Sequence, residues 1–336
     1  MLEIPILLVI IVAVALIFDF TNGAHDCANA IATVVSTKVL SPRTAVMMAA
    51  VLNLVGAFMG HQVAHTLGKG IVHTDVVMGS QILVLAALIG AIAWNLITWY
   101  YGLPSSSSHA LIGGLIGAAI ASAGFNSLNA MSIVKKIILP MVLSPLAGFA
   151  VAYVVMMGLL LAFANADRKK VAHAFKKLQI LSAAFMATSH GLNDAQKTMG
   201  VIALALLLFH QIDSLVIPFW VTCSCAGAMG LGTAVGGWKI IKTMGHRISK
   251  LEPTNGFAAE TSASLVITGA SMIGAPISTT HTITACIFGV GSAKRMSAVR
   301  WQVAGNLVVA WIITIPASAA IAALSYVLFK TLGLGV

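Results

Sequence analysis

Long apolar runs alternate along this chain with short polar interruptions. "IPILLVIIVAVALIF" (residues 4–18) and "ILVLAALIGAIAW" (residues 82–94) contain no charged residue. Such continuous runs predict helices. A membrane β-barrel would show short segments alternating residue by residue. The first half predicts a long element interrupted at residues 19–29 and a span near 44–66. Two apolar pieces, 80–101 and 109–124, then flank a polar motif, and a last span covers 137–164. The second half predicts the same series at 179–209, 215–237, 257–273 with 281–292, and 302–329.

Polar phrases recur inside this apolar background. "GLPSSSSH" (Gly102 to His109) returns as "GAPISTTH" (Gly274 to His281), 172 residues later. "NGAHDCANA" (Asn22 to Ala30) returns as "HGLNDAQKT" (His190 to Thr198), 168 residues later. Two motif pairs in one order and at nearly one offset mark an internal duplication. The predicted units are a repeat over 1–164, a basic connector over 165–178 and a repeat over 179–336. If the pieces around each hydroxyl motif form a re-entrant hairpin, each half crosses a membrane three times and the second half is inverted. With both termini outside, fourteen Lys and Arg fall inside, among them Lys38, Arg43, Arg168 and Lys294. Lys69, Lys135, Lys136 and Lys330 fall outside. That bias agrees with the positive-inside rule. If each interrupted element crossed twice, the repeats would be parallel.

Composition narrows the class. The chain of 336 residues is 59% apolar and only 8% charged, against about 25% charged in soluble domains. The fold class expected is an all-α integral membrane protein with inverted-topology repeats, interrupted helices and two re-entrant helical hairpins, multi-pass in the plasma membrane. The net charge of +10 lies in loops with few aromatics, which argues against a nucleic-acid partner. Cys27, Cys223, Cys225 and Cys286 lack zinc spacing and read as buried thiols. The first apolar run, without a basic n-region, reads as a retained segment.

The hydroxyl motifs suit an oxyanion. Pro104 and Pro276 stop a helix, and the following Ser and Thr suit capping a new one. A helix start offers unpaired N–H groups and the positive end of a dipole. Ser105, Ser106, Ser107 and Ser108 add hydroxyls from one half, and Ser278, Thr279 and Thr280 from the other. Together they form a neutral, donor-rich cradle for a tetrahedral anion. Simple capping of a kinked helix is the alternative. His25, His109 and His281 are candidate proton carriers or anion contacts, and His109 and His281 also fit plain helix packing.

Carboxylates add a second requirement. Asp19, Asp26 and Asp194 lie in or beside apolar sequence, where acids are costly and usually functional. Asp26 and Asp194 are the matched pair, surrounded by Asn22, Asn29, Asn193 and Gln196. An anion beside two ionised carboxylates in a low-dielectric site is strongly repelled. Either cations lie between them or the acids are protonated. Oxygen-only ligands suit hard cations, so Na⁺ is the first candidate and H⁺ the second. Lys197 either neutralises Asp194 or attracts the anion. No nucleophile–base pair or resident-metal spacing emerges, so an enzyme is not expected. An anion channel is the remaining class, and oxygen-rich interrupted helices suit occlusion better.

"NGAHDCANAIATVVSTK", "GLPSSSSHALIGGLIG", "SHGLNDAQKTMGVIAL", "GFAAETSASLVI" and "GAPISTTHTITACIFGVG" closely resemble the signatures of the inorganic phosphate transporter (PiT) family in its bacterial form. The resemblance runs over essentially the whole chain. It implies symport of inorganic phosphate with Na⁺ or H⁺, no cofactor beyond the coupling ion, an inverted-repeat fold with two hairpins, and often a homodimer in the lipid bilayer. It makes Asp26, Asn29 and Asp194 cation-ligand candidates. Gln196, Ser105 to Ser108 and Ser278 to Thr280 become phosphate-contact candidates. The long insertion between the halves of eukaryotic members has no counterpart here, only residues 165–178. Relatives that carry sulfate, or that use protons and accept metal–phosphate complexes, leave those alternatives open.

Overall fold

The computed structural model describes residues 5–68 and 80–334. The predicted location of Lys69 and the ends of both termini fall outside the described residues. The described regular structure is helical throughout. The first half contains α1 (Ile6–Ser36), α2 (Pro42–Ala57), α3 (Gln62–Gly68), α4 (Ile82–Tyr101), α5 (Ser107–Ala123) and α6 (Ala130–Ala162). The second contains α7 (Arg168–Leu208), α8 (Phe219–Val235), α9 (Trp238–Arg247), α10 (Pro253–Met272), α11 (Thr279–Lys294) and α12 (Trp301–Thr331). Among the described residues four helices, α1, α4, α6 and α12, are each long and apolar enough to cross a membrane. A fifth span results if α8 and α9, bent by 62°, count as one.

Three expectations change, the simplest being that Cys223 is exposed rather than a buried thiol. The interruption predicted at 19–29 is absent, because α1 runs unbroken through it, as α7 does through the matched stretch. Neither stretch holds a proline or a left-handed residue. The missing Cβ of Gly23 lets α1 approach α8, where a Cβ would collide with the Met229 carbonyl. Gly191 lets α7 approach α2 at the Asn53 carbonyl in the same way. The basic connector is also mostly helix. Asp167 caps α7 by accepting from the backbone N–H of Lys169 at 2.7 Å and Lys170 at 3.4 Å. The 41 residues of α7 extend about 60 Å, and its first turns, with Lys169, Lys170, Lys176 and Lys177, are exposed.

Helices of one half pack on helices of the other. α1 lies on α8 and α2 on α7, while α5 lies on α12 and α11 on α6. Small residues make these contacts close, the usual way apolar helices associate without a hydrophobic driving force. A Cβ at Gly56 would strike the Thr188 carbonyl, and one at Gly232 the Phe20 carbonyl. Gly117 and Gly289 stand likewise against the carbonyls of Ala319 and Phe149. This interlacing brings the middles of α1 and α7 to the starts of α5 and α11.

Candidate functional site

Both hydroxyl motifs build the same local structure. Gly102 (φ 66°) ends α4 and Gly274 (φ 70°) follows α10, each in the left-handed region that favours glycine. After the proline, Ser106 accepts from the His109 N–H at 3.3 Å and caps α5. Ser278 accepts from the His281 N–H at 3.1 Å and caps α11. The two starts meet. The His109 and His281 rings lie 4.7 Å apart between centroids, and Trp311 stacks on His281 at 4.0 Å. The Trp311 indole also donates to the Pro104 carbonyl at 3.0 Å. The His109 and His281 side chains therefore pack against each other at the seam between the hairpins.

The middles of α1 and α7 supply the acids. Ligand atoms of Asp26, His190 and Asp194 lie within 4.8 Å of one another, all buried. Asp26 Oδ1 is 2.7 Å from His25 Nδ1 and accepts from Thr280 Oγ1 at 3.4 Å. Asn29 donates to Thr280 at 2.9 Å and Thr279 at 3.3 Å. Asp194 Oδ1 accepts from Lys197, and its Oδ2 accepts from Thr279 at 3.0 Å and lies 3.1 Å from His190 Nε2. Lys197 also donates to Ser108 Oγ at 2.5 Å and to the Ile277 carbonyl at 3.1 Å. The start of α11 thus reaches both acids directly, and the start of α5 reaches Asp194 through Lys197. The Lys197 alternative resolves as an ion pair with Asp194.

Several buried atoms on α1, α5 and α7 lack a hydrogen-bond partner: Asn22 Oδ1, Asn29 Oδ1, Asn193 Oδ1 and Ser107 Oγ. A buried polar group without a partner costs about 1–3 kcal/mol. Three of the four are amide oxygens, the donor type that suits a hard cation. Ser105 belongs to a different network: it donates to Thr98 Oγ1 at 2.9 Å, and both contact His25 Nε2, at 3.4 and 3.0 Å.

Not every candidate joins the cluster. Gln196 accepts from the Val63 N–H at 2.8 Å at the start of α3 and donates to the Leu192 carbonyl at 2.6 Å. Its amide ties α7 to α3. Asn193 turns its nitrogen to Ser271 Oγ at 2.7 Å. Asp19 accepts from Thr198 at 2.9 Å, about two turns along α1 from Asp26. Sequence reasoning missed His190, although it stands at the duplicated position of Asn22. It also passed over Glu260, fully buried and bonded by Thr33 Oγ1 at 2.5 Å, Gln179 Nε2 at 3.1 Å and Ser182. A lone acid in the apolar run of "GFAAETSASLVI" was the available signal.

The model of the PHO4 phosphate transporter family matches residues 22–166 and 161–322. The chain belongs to the phosphate transporter family. A "Probable low-affinity inorganic phosphate transporter" of Bacillus subtilis is 48% identical over 322 residues, covering 96% of each chain. The protein of the same description from Rhizobium meliloti is 50% identical over 322 residues, covering 95% of this chain and 96% of the relative. A solved structure titled "The sodium-dependent phosphate transporter" superposes with a TM-score of 0.87 at 27% identity, covering 97% of this chain and 100% of that one. The fold and the family are those of the PiT phosphate transporters, membrane proteins rather than enzymes. Four of the five motifs that carried the resemblance supply this buried cluster, and the fifth supplies Glu260 to its own.

Proposed function

We propose that this PiT family member imports inorganic phosphate by symport with Na⁺, as a multi-pass protein of the plasma membrane. The observation that carries the reading is the convergence of two buried carboxylates with two hydroxyl-capped helix starts. Phosphate is held by Ser105 to Ser108 and Ser278 to Thr280, while Gln196 supports the site by tying α7 to α3. Na⁺ is held among Asn22, Asp26, Asn29, Asn193 and Asp194, whose unpartnered amide oxygens supply acceptors. The neighbour's printed description as sodium-dependent supports the choice of ion.

The two halves act as inverted repeats that rock about this site. Their element order and reciprocal packing support that arrangement. α5 and α11, with 17 and 16 residues, extend about 25 Å, short of a ~30 Å core. They fit re-entrant arms better than full crossings.

Proton coupling has one specific observation in its favour: His25 touches Asp26 and His190 touches Asp194. Radiolabelled phosphate uptake by purified protein in proteoliposomes separates the two. An inward Na⁺ gradient should drive saturable uptake that survives a protonophore. Uptake driven by a pH gradient alone would sink the Na⁺ reading, and flux without saturation or co-ion dependence would indicate a channel.

A further inference from the structure

The duplication gives each residue of one half-site a counterpart in the other. At the offset of 168, Asp26 corresponds to Asp194, Asn22 to His190 and Asn29 to Lys197. The acids agree and their neighbours do not. In the first half positions 22 and 29 carry neutral amides, each with a buried oxygen left without a donor, and the imidazole beside Asp26 comes from His25 instead. In the second half the counterparts are basic side chains, and both lie against Asp194.

Lys197 is fully committed. An ammonium has three N–H donors, and Lys197 spends them on Asp194 Oδ1, Ser108 Oγ and the Ile277 carbonyl. None is left for a bound anion. Lys197 and Asp194 thus form a unit without net charge, bolted to both hairpins. Asp26 has no Lys or Arg partner among the described residues, and its one ion-pair contact is the neighbouring His25. An ionised acid buried in this way needs a compensating cation.

We infer that Lys197 is a tethered cation standing where the second half-site would otherwise take a coupling ion. The exchangeable ion then binds in the first half alone, at Asp26 with the oxygens of Asn22 and Asn29. This rests on the cation-coupled reading above and fixes how many ions the matched pair of acids uses: one. Asp19 and Glu260 are buried elsewhere and are unchanged in the variants below, so the test reads a difference between proteins.

Two opposite substitutions test it. Lys197→Asn gives the second half the amide of the first, and Asn29→Lys gives the first half the ammonium of the second. In proteoliposomes, the Na⁺ gradient that just balances an opposing phosphate gradient reports the Na⁺:phosphate ratio. K197N should raise that ratio by one and N29K should lower it by one, relative to wild type. Unchanged ratios in active variants overturn the inference. For a variant that binds but does not transport, saturation with ²²Na⁺ of the purified, monodisperse protein gives the same count. One Na⁺ more in K197N, or one fewer in N29K, supports the inference, and equal numbers overturn it. Wild-type uptake indifferent to Na⁺ would refute sodium coupling itself, and the ²²Na⁺ count would then decide this inference separately.

Discussion

The two halves are alike where helices touch and unlike around their buried acids. Gly56 and Gly232 meet facing carbonyls across α2–α7 and α8–α1, and Gly117 and Gly289 do so across α5–α12 and α11–α6. The hairpin caps agree as well, Ser106 with Ser278. The acids then diverge in their surroundings: each has an imidazole beside it, His25 at Asp26 and His190 at Asp194, but only Asp194 also has an ammonium. Close packing punishes any change of volume, so the contacts between halves stayed paired. A binding site tolerates exchange of a neutral ligand for a charged one when another charge compensates.

The largest effect should separate the two acids. Asp26→Asn removes the acid that holds the exchangeable ion and should lower coupled phosphate uptake on the order of 100-fold, with little change in thermal midpoint. Asp194→Asn should also abolish uptake, and it leaves Lys197 without its counter-charge. Breaking a buried pair in this way costs about 3–5 kcal/mol, so its midpoint in detergent should fall well below that of D26N. Equal midpoints in the two variants would break the comparison, and normal Na⁺-dependent uptake in both would remove their assigned role.

Next come the shared contacts. Gly56→Val and Gly232→Val each force a side chain into a facing carbonyl, and overpacking costs about 1–3 kcal/mol. The two losses should match each other in a thermal melt, and a clear inequality would show that the halves are not mechanically equivalent. Ser106→Ala and Ser278→Ala remove one cap each, worth about 1 kcal/mol. If each hydroxyl also contributes ~1 kcal/mol to phosphate binding, KM rises about fivefold in both; an unchanged KM in both counts against the cradle.

The smallest effect lies at the hairpin bases. Lys294 donates to Glu252 at 2.6 Å in one half. In the other, Tyr326 links Ser80 at 3.1 Å and Ser122 at 3.0 Å at the matched positions. Glu252 is well exposed, so Glu252→Gln should shift stability by under ~1 kcal/mol. A larger loss would mean that this pair closes the hairpin.

Much of this was legible in the sequence. Continuous apolar runs could only be helices, and two motif pairs at nearly one spacing announced the duplication and located Asp26, Asp194 and both hydroxyl caps. The misreadings share a cause. Polar residues at 19–29 look like a break, yet Asp26 and Asn29 bond across to α11 and leave the backbone helical. Gln196 stands in the motif but faces α3. Which way a side chain points around a helix buried on all faces leaves no hydrophobic period to read.

By itself, then, the chain determined its helices, its duplication and the chemistry available to it. Those follow from local hydropathy and residue type, which act without reference to distant neighbours. Only the tertiary structure decided that Lys197 belongs to Asp194, that His190 joins the acids and that Glu260 sits in its own hydroxyl cluster. His190 and Lys197 stand one turn from Asp194 on α7, so packing only selects their orientation, whereas the partners of Asp26 and Glu260 come from segments remote in sequence that are forced together out of water. There, each buried charge must take whichever partner the packing of α1, α7 and the two hairpins leaves within reach.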